Sequence, residues 1–131
     1  MTACVTDEIP MHLFVQIHPA DNFQWTESFE GLSAALANLP GMYFEMDGSF
    51  VWVDHRASPP NQMDGMVYDR AGRLEYVEVK GACGVDQWLT LCQAISGIEE
   101  PNYAAIDSRV RIHRVADGDW TTATAIANQL S

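Results

Sequence analysis

Residues 62–81 read QMDGMVYDRAGRLEYVEVKG. Strand-compatible residues run from Met63 to Tyr68 and again from Leu74 to Val79, with the turn chemistry of Asp69-Arg70-Ala71-Gly72-Arg73 between them, so the stretch predicts a β-hairpin. The turn decides the register. A three-residue Arg70-Ala71-Gly72 loop puts Gly72 in the left-handed position such loops require and lets Asp69 open the turn. Tyr68 then faces Leu74, Met66 faces Tyr76, and Asp64 faces Glu78, with Lys80 two residues further along the same face. A two-residue Ala71-Gly72 turn shifts the register by one and sends Asp64 to the face of Val79. It also forces a positive φ on Ala71, so the three-residue loop is the expectation.

Just upstream, Asp47-Gly48 separates Met42-Tyr43-Phe44-Glu45-Met46 from Ser49-Phe50-Val51-Trp52-Val53. Asp-Gly between apolar runs predicts a second hairpin with a two-residue type I′ turn, pairing Met46 with Ser49 and Phe44 with Val51. Phe44, Met46, Val51 and Val53 then make one buried face, with Tyr43 and Trp52 on the other, where core packing is the preferred role for both. The intervening Asp54 to Asn61 is a loop by its prolines and polarity. His55 there reads as a solvated loop histidine.

Working outward, Met11, Leu13, Val15 and Ile17 alternate with more polar neighbours and predict a first strand ending at Pro19. His12 and His18 share its polar face, but six residues of strand separate them by roughly 20 Å, so they cannot chelate one ion together. From about Thr26 the spacing of Phe29, Leu32, Leu36 and Leu39 predicts a helix that Pro40-Gly41 stops. Val85, Trp88, Leu89, Cys92 and Ile95 predict another, with Gly97 at its C-terminus, followed by a surface turn over residues 99–102. Residues 109–115 predict a strand with Arg109, Arg111 and His113 on one face, read as an edge strand protected by charge. Residues 119–131 fit either a strand after Asp117-Gly118 or a helix with Asp119 as N-cap and Trp120, Ala123, Ile126, Ala127 and Leu130 on one side, and the helix is preferred.

These elements make an α+β fold: a mostly antiparallel sheet of five or six strands built from consecutive hairpins, with two or three helices on one face and the other face left open. One domain over residues 1–131 accounts for the length, since a chain of 131 residues can bury about two-thirds of its unfolded surface around one core. Gly65 is read as the mark of a bulge.

Eighteen acidic residues against seven basic ones give a formal charge of −11, which repels nucleic acid and anionic membrane. The expected partner is instead a protein, a basic one matching that charge, and a homodimer is compatible with the open face. The first residues, MTACVTDEIPMHLF, carry neither a basic leader nor a long apolar run, so no signal peptide or anchor is expected and the cytoplasm is the expected setting. Cys4, Cys83 and Cys92 fit no zinc module and read as buried small hydrophobes.

One constellation carries chemistry. Asp64 facing Glu78 places two carboxylates side by side, an arrangement eased by a cation such as Lys80 or by a divalent metal. Asp64 followed by Glu78-Val79-Lys80 on the next strand resembles the D…ExK motif of the PD-(D/E)xK nuclease superfamily, with Met63 where its name has a proline. The order of elements over roughly residues 26 to 115 is similar to that superfamily's αβββαβ core. The resemblance implies Mg²⁺ or Mn²⁺ held by Asp64 and Glu78, with Lys80 positioning the attacking water. Without it no cofactor is expected, Glu78 and Lys80 form a surface ion pair, and Asp64 ends its strand. The leading reading is a non-catalytic protein-interaction module, with the nuclease or an inactive relative as the alternative.

Overall fold

The computed structural model describes residues 12–21, 23–25 and 28–130. The elements run β1 (His12–Pro19), α1 (Phe29–Ala37), β2 (Met42–Phe44), β3 (Ser49–Asp54), β4 (Asn61–Arg70), β5 (Arg73–Ala82), α2 (Val85–Ser96), α3 (Tyr103–Asp107), β6 (Val110–Arg114), β7 (Trp120–Thr121) and α4 (Ala123–Leu130). The seven strands form one sheet in the order β2-β3-β4-β5-β1-β6-β7, and every neighbouring pair is antiparallel. The α+β class and the hairpins follow the sequence pattern, while the sheet has seven strands and the described residues form four helices. The extra elements, β7 and α3, are two and five residues long, too short to leave a periodic pattern. The tail splits between its two readings, as Trp120 and Thr121 pair with β6 before α4 begins.

Local chemistry sets the helix ends. The Ser28 side chain accepts from the Gly31 N–H and caps α1, whose Leu32 and Leu36 are buried. The expected start at Thr26, like Met11 in β1 and Cys4, lies outside the described residues. Gly97 closes α2 in the left-handed conformation at φ 75°. The Thr122 hydroxyl accepts from the Ala125 N–H at the start of α4, so Asp119 is not that helix's cap.

Period-two alternation decides which strand residues are inside. Leu13, Val15 and Ile17 of β1, Val77 and Val79 of β5, Met63 and Val67 of β4, and Val110 and Ile112 of β6 are buried. They join Trp88, Leu91, Cys92 and Ile95 of α2 and Ile126 of α4 in one hydrophobic cluster, and among the described residues no helix covers the sheet's other face. Trp88 is fully buried and its indole N–H donates to the Ala123 carbonyl at 3.0 Å, tying α2 to α4.

Both hairpins depart from the expected registers. The 62–81 hairpin closes through the two-residue turn after all, with Arg70 opposite Arg73, Ala71 at φ 53° and Gly72 at φ 82°. The Asp69 carboxylate accepts from the Gly72 N–H at 2.9 Å, which helps hold Ala71 in a conformation it disfavours. A bulge then skips Glu75, so that Asp69 faces Leu74 but Tyr68 faces Tyr76. The shift expected from the short turn is thereby cancelled: Asp64 keeps its face but stands opposite Lys80, and Met66 opposite Glu78.

The upstream hairpin has a three-residue loop, Met46-Asp47-Gly48, because Asp47 accepts from both the backbone and the hydroxyl of Ser49 and Gly48 takes φ 99°. Phe44 therefore pairs with Phe50 and packs against the core as expected, while the inward face of β3 is reversed. Phe50 and Trp52 are buried, whereas Met46 is 96% exposed and Val51 and Val53 lie on the open side. Gly65 is no bulge. It faces Phe50 across the ladder, and a Cβ there would stand 2.1 Å from the Phe50 ring. The glycine is a seat for that ring.

Gly65→Ala is therefore expected to destabilise the protein by about 1–3 kcal/mol, the usual range for overpacking. Urea unfolding should show a lower midpoint at unchanged slope, and Phe50→Leu in the same chain should cost less than it does alone. Additive costs would mean that the ring and the glycine do not compete for space.

Candidate functional site

The open face carries the side chains that alternation turns away from the helices. The antiparallel registers bring Tyr68, Tyr76, His18, Arg111, His113 and Trp120, from five strands, into one band. Tyr68 stacks on Tyr76 with centroids 4.5 Å apart, and Tyr76 stacks on His18 at 4.8 Å. Trp120 meets His18 at 5.1 Å and His113 at 4.9 Å, edge-on and tilted respectively. The Arg111 guanidinium lies 4.0 Å from the Trp120 centroid and its Nη1 reaches Asp21 at 2.9 Å. Trp120 remains 46% exposed at the end of this band. Flat faces of moderately exposed aromatic rings beside an arginine are the composition found at protein interfaces.

A polar row lies next to it. The Gln16 Nε2 donates to Glu78 at 3.1 Å, which leaves the Gln16 carboxamide oxygen as an acceptor 3.0 Å from the His18 Nε2. His18 must then donate from Nε2, so this bond fixes its neutral tautomer. Burial lowers the His18 pKa below its usual 6.5, and the nearby His113 and Arg111 lower it further. Tyr76 moves the other way: burial raises its pKa, with Tyr68, Glu78 and Glu75 adding to the effect.

Asp64, Glu78 and Lys80 lie further along the same face. The register places Asp64 opposite Lys80 and diagonal to Glu78, so the directly opposed carboxylates expected from the longer turn are not formed. Asp64 is exposed in the middle of β4, not at its end, and its nearest side-chain donor is Gln62 at 3.5 Å. Lys80 Nζ sits over the Phe14 ring at 5.2 Å, and among the described residues no ion pair within 4.0 Å joins it to Asp64 or Glu78. The expected Glu78–Lys80 ion pair is thus replaced by a cation–π contact and the Gln16 bond. Diagonal neighbours on a sheet stand about 7–8 Å apart at Cα, so one hard cation can be shared only if both carboxylates lean together. Among the described residues no three His, Cys, Asp or Glu side chains are gathered around a common point.

The remaining candidates are accounted for locally. β6 is not an edge, since β7 covers part of it, and Arg109 donates to the Ser96 carbonyl at 2.9 Å in place of forming a bare basic stripe. Cys83 and Cys92 are buried free thiols; burial pushes Cys83 up to about 12 and Cys92 well above the usual range, so neither is a thiolate near neutral pH. Asp54 is held below the usual carboxylate range by Arg56, which bonds both its oxygens at 3.0 and 3.2 Å beside the exposed His55. No helix among the described residues is long and apolar enough to cross a membrane. Set against protein-family models, curated proteins and solved structures, the chain matches none.

Because the His18 pKa is lowered on folding, the unfolded chain takes up the proton first as pH falls. The His18 contribution to stability is complete above the unfolded value near 6.5 and declines below it until the folded value is passed. NMR titration should place His18 below 6.5, and His18→Gln should flatten the loss of melting temperature between neutral and mildly acid pH. An unchanged slope in that variant would assign the loss to other groups.

Proposed function

We propose that this protein is a non-catalytic interaction module whose open sheet face receives a basic polypeptide. The observation that supports this is the aromatic band from Tyr68 to Trp120, lying beside Glu78 and Asp64 and uncovered by any described element. Aromatic faces attract Lys and Arg side chains, the adjacent carboxylates can pair with them, and a formal charge of −11 steers a basic chain toward the protein.

An unstructured twelve-residue peptide alternating Arg and Gly, titrated into the isotope-labelled protein, tests this directly. Saturable shifts are expected at Gln16, His18, Tyr76, Glu78 and His113, with Tyr76→Ala and Trp120→Ala each weakening binding at least about tenfold, a free-energy loss of about 1.4 kcal/mol. Shifts spread evenly over acidic loops, and insensitive to both variants, would leave only nonspecific charge attraction.

The nuclease-like alternative has one supporting observation, the common face of Asp64, Glu78 and Lys80. It takes Mg²⁺ or Mn²⁺ between the two carboxylates, with Lys80 beside the attacking water. On that reading, millimolar Mn²⁺ raises the melting temperature and Asp64→Ala abolishes the rise, whereas the interaction module gives the same Mn²⁺ response in both proteins.

A further inference from the structure

We propose that Asp21 and Trp120 form a subsite for a guanidinium group, and that Arg111 fills it in the unbound protein. The inference rests on the proposed reading of the open face and names the side chain that anchors the polypeptide there, an arginine. The Arg111 guanidinium covers the Trp120 ring at 4.0 Å from the centroid, and its Nη1 donates to Asp21 at 2.9 Å. A planar cation stacked on an indole and bonded to a carboxylate is how a protein surface holds the arginine of another chain. The protein thus displays, with its own side chain, the complex that the subsite makes.

Both walls of the subsite are held by the fold without help from the Arg111 side chain. Trp120 stands opposite His113 in the β6–β7 ladder, and its ring packs on His113 at 4.9 Å and against His18 at 5.1 Å. Asp21 sits in the turn after β1, which the Ala20 N–H fastens to the start of β6 by donating to the Arg109 carbonyl at 3.0 Å. The Phe23 N–H closes that turn on the Ala20 carbonyl, also at 3.0 Å. Arg111 is fixed at its backbone, where β6 pairs with β1. Its side-chain partner Asp21 is 80% exposed, and ion pairs so open to water are weak. The guanidinium is therefore a removable occupant, and the walls stay in place when it leaves.

An occupant tethered beside its site competes at a high effective concentration. A lone arginine in solution does not displace it, whereas a polypeptide that also touches Tyr76 and Glu78 does, because the added contacts offset the exchange. Arg111 thereby sets a threshold that favours a chain of several cations over a single one. The geometry also chooses between cations. An ammonium is a strongly hydrated point charge, while a guanidinium stacks flat on the ring and still directs N–H groups at the carboxylate. Arginine is the better occupant for that reason.

The probes are methylguanidinium and methylammonium, titrated into the full labelled chain and read at the Trp120 indole N–H, at a pH where histidine is neutral. Arg111→Thr uncovers the ring and keeps a β-favouring residue in the strand, and Arg111→Val gives the same comparison if the threonine variant does not fold. In the variant, methylguanidinium should bind at least about fivefold more tightly than in the native protein, and at least about fivefold more tightly than methylammonium does. Asp21→Asn in the same chain should return most of that gain. Loss of one positive charge would help both cations alike, so equal gains overturn the subsite. It is also overturned if methylguanidinium falls short of the fivefold gain, if the shifts map away from Trp120, or if neither variant folds, since Arg111 would then be part of the fold. The twelve-residue Arg-Gly peptide on the native protein tests the open face separately. A peptide that binds while methylguanidinium gains nothing from Arg111→Thr sinks the subsite alone; methylguanidinium binding to the variant without saturable peptide binding sinks the polypeptide reading alone.

Discussion

The sheet depends on the insertion of β1 between β5 and β6. Val15 pairs with Val79 on one side and Arg114 on the other, so the first described strand becomes the bridge between a four-strand meander and the C-terminal strands. Its three inward residues, Leu13, Val15 and Ile17, are all essentially removed from solvent, while its outward residues Gln16 and His18 join side chains from β5 and β6. Without this ladder α2, α3 and α4 would have no common surface to cover, and the aromatic band would fall into two halves. The link between topology and candidate function is therefore one strand. Such a pairing closes a long loop, from about residue 17 to residue 77, and sheets held by non-local contacts of that kind fold more slowly than meanders.

Much of the architecture was legible because local rules were strong. Leu32 and Leu36 stood at helical spacing, Gly97 ended its helix, and Val77 with Val79 alternated with the half-buried Tyr76 and Glu78 and the exposed Lys80. What misled was turn energetics judged one residue at a time. Ala71 does pay for a positive φ, but its turn gains a bond from the Asp69 carboxylate, and the bulge at Glu75 restores the facing that the short turn would have lost. Conversely Asp47-Gly48 has the composition of a two-residue turn, yet the two bonds from Ser49 to Asp47 favour a longer loop. In both hairpins a side chain outside the pair of central residues set the count.

The candidate site was legible only in part. Alternation alone puts Asp64, Glu78 and Lys80 on one face once the register is fixed, but their exact opposition depended on the bulge. The band of Tyr68, Tyr76, His18, His113 and Trp120 was harder to see, because its members come from strands that are distant in sequence. Period two could assign each ring to a face; only the order β4-β5-β1-β6-β7 makes them neighbours.

The two outermost strands are the shortest in the sheet: β2 has three residues and β7 two. Each presents few free backbone groups, so there is little template on which a foreign strand could extend the sheet, and α4 follows immediately after β7. Sideways growth into fibrils is thereby blunted by architecture, with no need for prolines or inward charges at either border. On the proposed reading, recognition would then be written in side chains, where a single substitution can change a partner without disturbing the ladder beneath it.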